Sequence, residues 1–296
     1  MPRGVPKAGF RMTKNRKSGK GKFARGTVIS KTQAPVYREP EVYETEDQIR
    51  NKLDERFTAM TMMVESAIAG NVRAVVFSGP PGVGKSHEVM AAMEKHKPYH
   101  TIIHGFVRPT GLYKTLYEYR HPGSVVVLDD ADSIFEDYVC LDLLKTACDT
   151  TRKRELSWLS ETNMKEEGGD KMPTQFEFEG TVIFITNTDF DYLIEKGSKL
   201  APHLSALVSR SMYLDMAMKS KRDYLVRIKQ VVEKGMLKDM KISKSDENEI
   251  LAFVDKFQDT LRELSLRMVV KIATLMKAHP TKWQSLAKVF CVKGSN

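Results

Sequence analysis

Gly79-Pro80-Pro81-Gly82-Val83-Gly84-Lys85-Ser86 is the stretch that decides the fold of this chain. It satisfies G-x-x-x-x-G-K-[ST] at every fixed position, and the apolar run Val75-Val76-Phe77, ended by Ser78, precedes it. That context predicts a buried strand delivering the loop and a helix beginning at Lys85. Glycines at 79, 82 and 84 let the backbone curl so that successive N–H groups point inward at phosphate oxygens. The N-terminus of the following helix adds its own positive partial charge. The expected binding set is Gly79, Pro80, Pro81, Gly82, Val83, Gly84, Lys85, Ser86 and His87. Lys85 reaches the β/γ-phosphates in this reading, and the Ser86 hydroxyl ligates Mg²⁺. The implied ligand is a nucleoside triphosphate, ATP, with Mg²⁺.

Two further apolar runs end in polar side chains. Val125-Val126-Val127-Leu128 leads into Asp129-Asp130. In nucleotidases built on such a loop the first acid, here Asp129, holds the metal through its water shell. The second, Asp130, orients and polarises the attacking water. Asp132 completes Asp-Asp-Ala-Asp and reads as a helix N-terminal acid. Val182-Ile183-Phe184-Ile185-Thr186 leads into Asn187, which can both donate and accept, and so can fix the water or the γ-phosphate.

The rest of the chain frames these segments. Residues 45–69 place Ile49, Leu53, Phe57, Met60, Val64 and Ile68 at steps of three and four, an amphipathic helix ended by Gly70-Asn71. A second strand is expected over Tyr99–His104, with helices over Leu112–Tyr119 and Val139–Cys148. Alternating buried strands and helices imply an α/β fold, a three-layer α/β/α arrangement around a parallel sheet. After about residue 217 the strands stop. Asp223–Val232, Glu247–Leu261, Leu266–His279 and Thr281–Cys291 read as helices, with Ser243 and Ser265 as N-caps. The expected domains are a basic tail (1–38), a nucleotide-binding α/β core (39–216) and an all-helical lid (217–296).

Charge is unevenly spread. The chain holds 47 Lys/Arg and 38 Asp/Glu, a formal net charge of +9. Eleven of the basic residues and none of the acids fall in residues 1–38, so the body is nearly neutral. The tail, rich in Gly, Ser and Lys, reads as disordered in isolation. It suits a solubilising role, nucleic-acid contact or docking to a protein partner, and its composition alone leaves all three open. Three cysteines, an odd number without metal-ligand spacing, argue against a disulfide framework. With no bilayer-length apolar run and no secretory leader, the expected compartment is the cytoplasm, the host's if the chain is viral. His100 and His104, four apart on a strand with no third ligand, do not read as a metal site.

Taken together these motifs resemble the AAA+ ATPases over roughly residues 45–280. The resemblance implies a phosphate loop, an acid-ended strand, a polar sensor-1 strand end, an arginine finger and a helical lid with a sensor-2 arginine. Leu204-Ser205-Ala206-Leu207-Val208-Ser209-Arg210 is similar to the segment carrying the finger, and Ser265-Leu266-Arg267 to the one opening the third lid helix. By resemblance, then, Arg210 acts on a neighbouring subunit's ATP and Arg267 senses the nucleotide of its own subunit. This implies a homo-oligomer. Arg152-Lys153-Arg154 is a rival source of the trans-acting cation. Relatives mostly carry Glu where Asp130 stands, one methylene longer. Leu156–Leu159 and Phe176–Phe178 read as a hairpin inserted before the sensor-1 strand. The segments Arg-Glu-Leu-Ser-Trp (154–158) and Phe-Glu-Phe-Glu-Gly (176–180) also resemble ATPases of tailed bacteriophages. The expected activity is ATP hydrolysis that moves or loads nucleic acid or a nucleoprotein complex. The alternatives are a protein-remodelling ATPase and a slow ATP-dependent switch.

Overall fold

The computed structural model describes residues 44–151, 153–159 and 172–294. The basic tail, Arg152 and most of the segment joining the expected hairpin strands lie outside the described residues.

The chain folds around a five-stranded parallel sheet, as the alternating pattern predicts. Its strands are β1 (Ala74–Ser78), β2 (Tyr99–His104), β3 (Ser124–Asp129), β6 (Thr181–Thr186) and β7 (Met212–Asp215), in the order β2-β3-β6-β1-β7. The three central strands β3, β6 and β1 are buried at every position. The two-residue period of the strand splits their side chains between two faces. Val75, Phe77, Val125, Val127, Ile183 and Ile185 pack on one face, against α1 (Glu46–Ile68), α2 (Lys85–His96) and the C-terminal helices. Ala74, Val76, Val126, Leu128, Val182 and Phe184 pack on the other, against α3 (Pro109–Glu118), α4 (Tyr138–Ala147) and α6 (Ala201–Val208). A short helix, α5 (Phe190–Glu195), precedes α6. A two-stranded antiparallel hairpin, β4 (Glu155–Ser157) with β5 (Gln175–Glu177), lies between α4 and β6 as expected.

α1 begins where Thr45 and Gln48 form a reciprocal capping box, and it buries Ile49, Leu53, Phe57, Met60 and Val64. Beyond β7 the regular elements are helices, α7 (Lys221–Glu233), α8 (Lys244–Phe257), α9 (Leu266–Ala278) and α10 (Trp283–Cys291), with a 3-10 turn at Lys238–Met240 and an isolated bridge between Leu261 and Val292. Ser243 and Ser265 cap α8 and α9, accepting from the N–H groups of Asp246 and Met268. α7 lies along α1, where Arg50 pairs with Glu233 at 2.9 Å and Lys234 with Asp54 at 3.1 Å. The Gln230 side-chain amide donates to the Arg50 carbonyl at 3.0 Å. The C-terminal helices thereby share one apolar cluster with α1, α2 and a face of the sheet.

Candidate functional site

The site lies at the carboxyl ends of β1, β3 and β6, where a parallel sheet leaves its loops clustered. Register explains the grouping. Ser78 stands opposite Thr186, and Asp129 opposite Ile185. The phosphate loop, the acid pair and Asn187 therefore emerge side by side from three adjacent strands.

The loop leaves β1 beside β7, whose continuation places Met216 N–H on the Ser78 carbonyl at 2.7 Å. A Cβ at Gly79 would stand 2.9 Å from the Met216 backbone carbon. Gly84, at φ 107°, opens α2 without a side-chain cap, which leaves first-turn N–H groups of the helix for an incoming anion. Pro80 and Pro81 line the outer turn, Val83 is buried, and His87 faces solvent in the first turn of α2.

Lys85 is 5 % exposed. Its ammonium donates to the carbonyls of Gly79 (2.6 Å) and Pro80 (2.8 Å) and to Asn187 Oδ1 (3.2 Å). Desolvation pushes its pKa down to about 8; Asp130 and Asp129 oppose that shift, while Arg267 adds to it. Ser86 Oγ donates to Asp129 Oδ1 at 2.9 Å. Burial raises the Asp129 carboxyl from its ordinary value, against the hydrogen bond from Ser86. Asn187 Nδ2 donates to Asp130 Oδ1 at 2.7 Å, so this one amide bridges Lys85 and Asp130. Asp130 takes the left-handed conformation, φ 51°, and its N–H donates to the Ile185 carbonyl at 3.0 Å. Asp is among the residues that tolerate that region, and the turn presents its carboxylate at the surface.

Three residues have partners in the site that no sequence motif marks. His104, at the carboxyl end of β2, is the register partner of Asp129, and its Nδ1 lies 3.4 Å from Asp129 Oδ2. Its position becomes legible only once β2 and β3 are known to be neighbours. Asp132 opens a 3-10 turn, but its carboxylate also accepts from Thr186 Oγ1 (2.6 Å) and Thr188 Oγ1 (3.1 Å), bracketing Asn187. The third is Arg227 of α7, 3 % exposed, whose Nε donates to the Val83 carbonyl at 3.2 Å.

The remaining arginines divide. Arg267, exposed at the start of α9, approaches the loop: Leu266 N–H donates to the Gly82 carbonyl at 2.8 Å, and the Arg267 Cγ lies 3.8 Å from where a Cβ on Gly82 would stand. Arg210 is not brought to this cluster. It precedes β7, whose first residue Met212 pairs no further along β1 than Val75, so it lies at the amino end of the sheet. Strand rise of about 3.3 Å per residue puts that end roughly 10 Å from the loop. There its guanidinium donates to the Ala206 carbonyl at 2.9 Å. The two described rival cations are otherwise engaged. Arg154 is buried, donating to the Ala147 and Gly180 carbonyls at 2.8 and 2.9 Å, and Lys153 pairs with Glu155 at 2.5 Å. A buried guanidinium with two internal acceptors braces the hairpin. Among the described residues no helix is long and apolar enough to cross a membrane.

No protein-family model matches the chain. Among solved structures, the Thermotoga maritima RuvB Holliday junction branch migration motor aligns with 83 % of this chain and 69 % of its own, at 13 % identity and TM-score 0.45. NtrX from Brucella abortus in complex with ATP aligns with 81 % of this chain and 53 % of its own, at 15 % identity and TM-score 0.43. A stronger likeness is to an uncharacterised 36.7 kDa protein from the nrdC-mobD intergenic region of Enterobacteria phage T4. It is 34 % identical over 252 residues, 83 % of this chain and 77 % of the relative. At that identity and coverage, the chain belongs to the same family as this phage T4 protein.

Proposed function

We propose that this protein is an AAA+ ATPase that binds ATP with Mg²⁺ and hydrolyses it. One observation carries the reading: Lys85, Asp130 and Asn187 form a single hydrogen-bonded and charged cluster at the mouth of the phosphate loop, with the Ser86–Asp129 pair beside it. In this reading residues 39–216 are the nucleotide-binding core and 217–296 the lid.

The residues fit both groups. Ser86 Oγ and Asp129 Oδ1, 2.9 Å apart, offer a hydroxyl and a carboxylate, hard oxygens of the kind Mg²⁺ takes when phosphates and water complete its shell. Bound there, Mg²⁺ would neutralise developing charge on the β- and γ-phosphates. The loop N–H groups and the start of α2 would hold the phosphates. The Lys85 ammonium now rests on two carbonyls of its own loop, and a phosphate offers it a charged acceptor in their place. Asp130 would accept the proton of the attacking water, and Asn187 would hold that carboxylate and the water in line. Asp132 fixes the strand end from which Asn187 projects.

Arg210, at the far end of the sheet from its own loop, serves a second copy in this reading, which makes the active species a homo-oligomer. Its charge would stabilise the γ-phosphate of the adjoining subunit. The cargo we favour is nucleic acid, from the all-basic composition of residues 1–38. A specific observation supports protein remodelling as a second reading: Phe106, on the loop after β2, is 75 % exposed. The deciding experiment measures ATP turnover with single-stranded DNA, double-stranded DNA or an unfolded protein, at two salt concentrations. Nucleic-acid work predicts stimulation by DNA that fades with salt and with removal of residues 1–38. Stimulation by unfolded protein alone overturns it, and unchanged turnover in Lys85→Ala overturns the ATPase assignment itself.

A further inference from the structure

A phosphate loop that turns its N–H groups inward turns carbonyls outward, and buried carbonyls need donors. Two consecutive ones, Gly82 and Val83, are met from the C-terminal helices. Leu266 N–H donates to the Gly82 carbonyl at 2.8 Å, and Arg227 Nε to the Val83 carbonyl at 3.2 Å. The second contact comes from a side chain that gives up its hydration to make it. Arg227 is 3 % exposed, its guanidinium carbon lies 3.2 Å from the centre of the Phe57 ring on α1, and Nη2 stands 3.7 Å from Glu88 Oε1 on α2. A Cβ on Gly84 would stand 3.3 Å from the same Nη2. Burial draws the pKa of this arginine down to about 10, against the pull of Glu88. One planar cation on α7 thus touches three other elements: α1, the phosphate loop and α2.

We propose that Arg227 is a positioning residue that holds the phosphate loop in its anion-receiving shape from the lid. Its stacking on Phe57 and its pairing with Glu88 fix the guanidinium plane, and the fixed plane fixes the Val83 carbonyl. With that carbonyl held outward, the adjoining peptide N–H groups stay turned inward. Lysine cannot reproduce the arrangement, because an ammonium lacks the planar fork that stacks and donates at once. The consequence for nucleotide affinity rests on the ATPase reading above; the effect on the empty loop does not.

The test is amide hydrogen exchange on the nucleotide-free full chain, together with binding of a fluorescent ADP analogue. Arg227→Met should speed exchange of loop amides 82–86 by about 10-fold or more and weaken nucleotide binding by a similar factor. Arg227→Lys should restore neither fully. Arg50→Ala, which removes an ion pair from the α1–α7 seam without touching the loop, is the control, and it should leave loop exchange near wild type. Unchanged loop exchange in Arg227→Met overturns the proposal, as does an equal increase in Arg50→Ala, which would assign the effect to lid docking at large. If loop exchange rises in Arg227→Met alone while the wild type binds no nucleotide, the positioning role stands and the ATPase reading falls.

Discussion

Replacing Gly82 by alanine tests whether the phosphate loop and α9 are locked together. Gly82 has φ +73°, and an added Cβ would lie 2.7 Å from the Ser265 Cβ and 3.2 Å from its Oγ. Ser265 cannot swing away freely: it is buried, it caps α9, and the next residue donates to the Gly82 carbonyl. Two costs therefore add. An L-residue in the left-handed region costs about 1–2 kcal/mol, and forcing a methyl into a packed contact costs about 1–3 kcal/mol. Gly70, just beyond α1, isolates the first cost, because it has φ +76° with nothing within 4 Å of its added Cβ. The difference between Gly82→Ala and Gly70→Ala is then about 1–3 kcal/mol. At about 2–4 °C per kcal/mol for a domain of this size, the Gly82 variant should melt roughly 2–12 °C below the Gly70 variant. Thermal unfolding without nucleotide measures it, since bound ligand would mask the loss. Equal melting temperatures would refute the contact and with it the tie between the loop and α9. Binding of an ADP analogue should be kept in Gly70→Ala and lost or weakened in Gly82→Ala.

Other expected outcomes follow the same geometry. Asn187→Ala removes the bridge between Lys85 and Asp130, so turnover should fall about 100-fold or more while ADP affinity stays within a few-fold; an unchanged rate would remove Asn187 from the mechanism. Ser86→Ala should raise the Mg²⁺ concentration needed for half-maximal ATPase, read in a Mg²⁺ titration, because half of the Ser86–Asp129 oxygen pair is gone. Arg210→Ala and Lys85→Ala, each inactive alone, should regain ATPase when mixed, since one supplies an intact loop and the other an intact finger; full turnover by Arg210→Ala alone would refute trans action. Arg154→Met leaves the carbonyls of Ala147 and Gly180 without their donor, about 1–3 kcal/mol each. Thermal unfolding should register that loss, with the activity of the folded fraction retained.

How much of the fold is legible in the sequence follows burial and contiguity. The three central strands announce themselves because a strand covered on both faces is apolar at every position, and each ends in a polar residue that the apolar run makes conspicuous. β7 left no such mark. It is four residues long at the edge of the sheet, with Met212 more than half exposed and the other three half-buried. The short helices α5 and α6 likewise offer too few turns for a period to show.

The sequence by itself determined the phosphate loop, the acid-ended and Asn-ended strands and the helical C-terminal region, because each is written in contiguous residues whose spacing reflects local backbone geometry. The tertiary structure alone decided what those pieces face. Strand order put His104 against Asp129, and Asp132 against Thr186 and Thr188. Helix docking buried Arg227 against a loop more than 140 residues earlier in the chain. It also turned Arg154 inward while leaving Arg210 at the end of the sheet away from its own loop. The physical reason is common to all of these. An arginine in a helix and an acid after a strand carry the same local signal whether they meet solvent or a buried carbonyl, and only packing chooses between them.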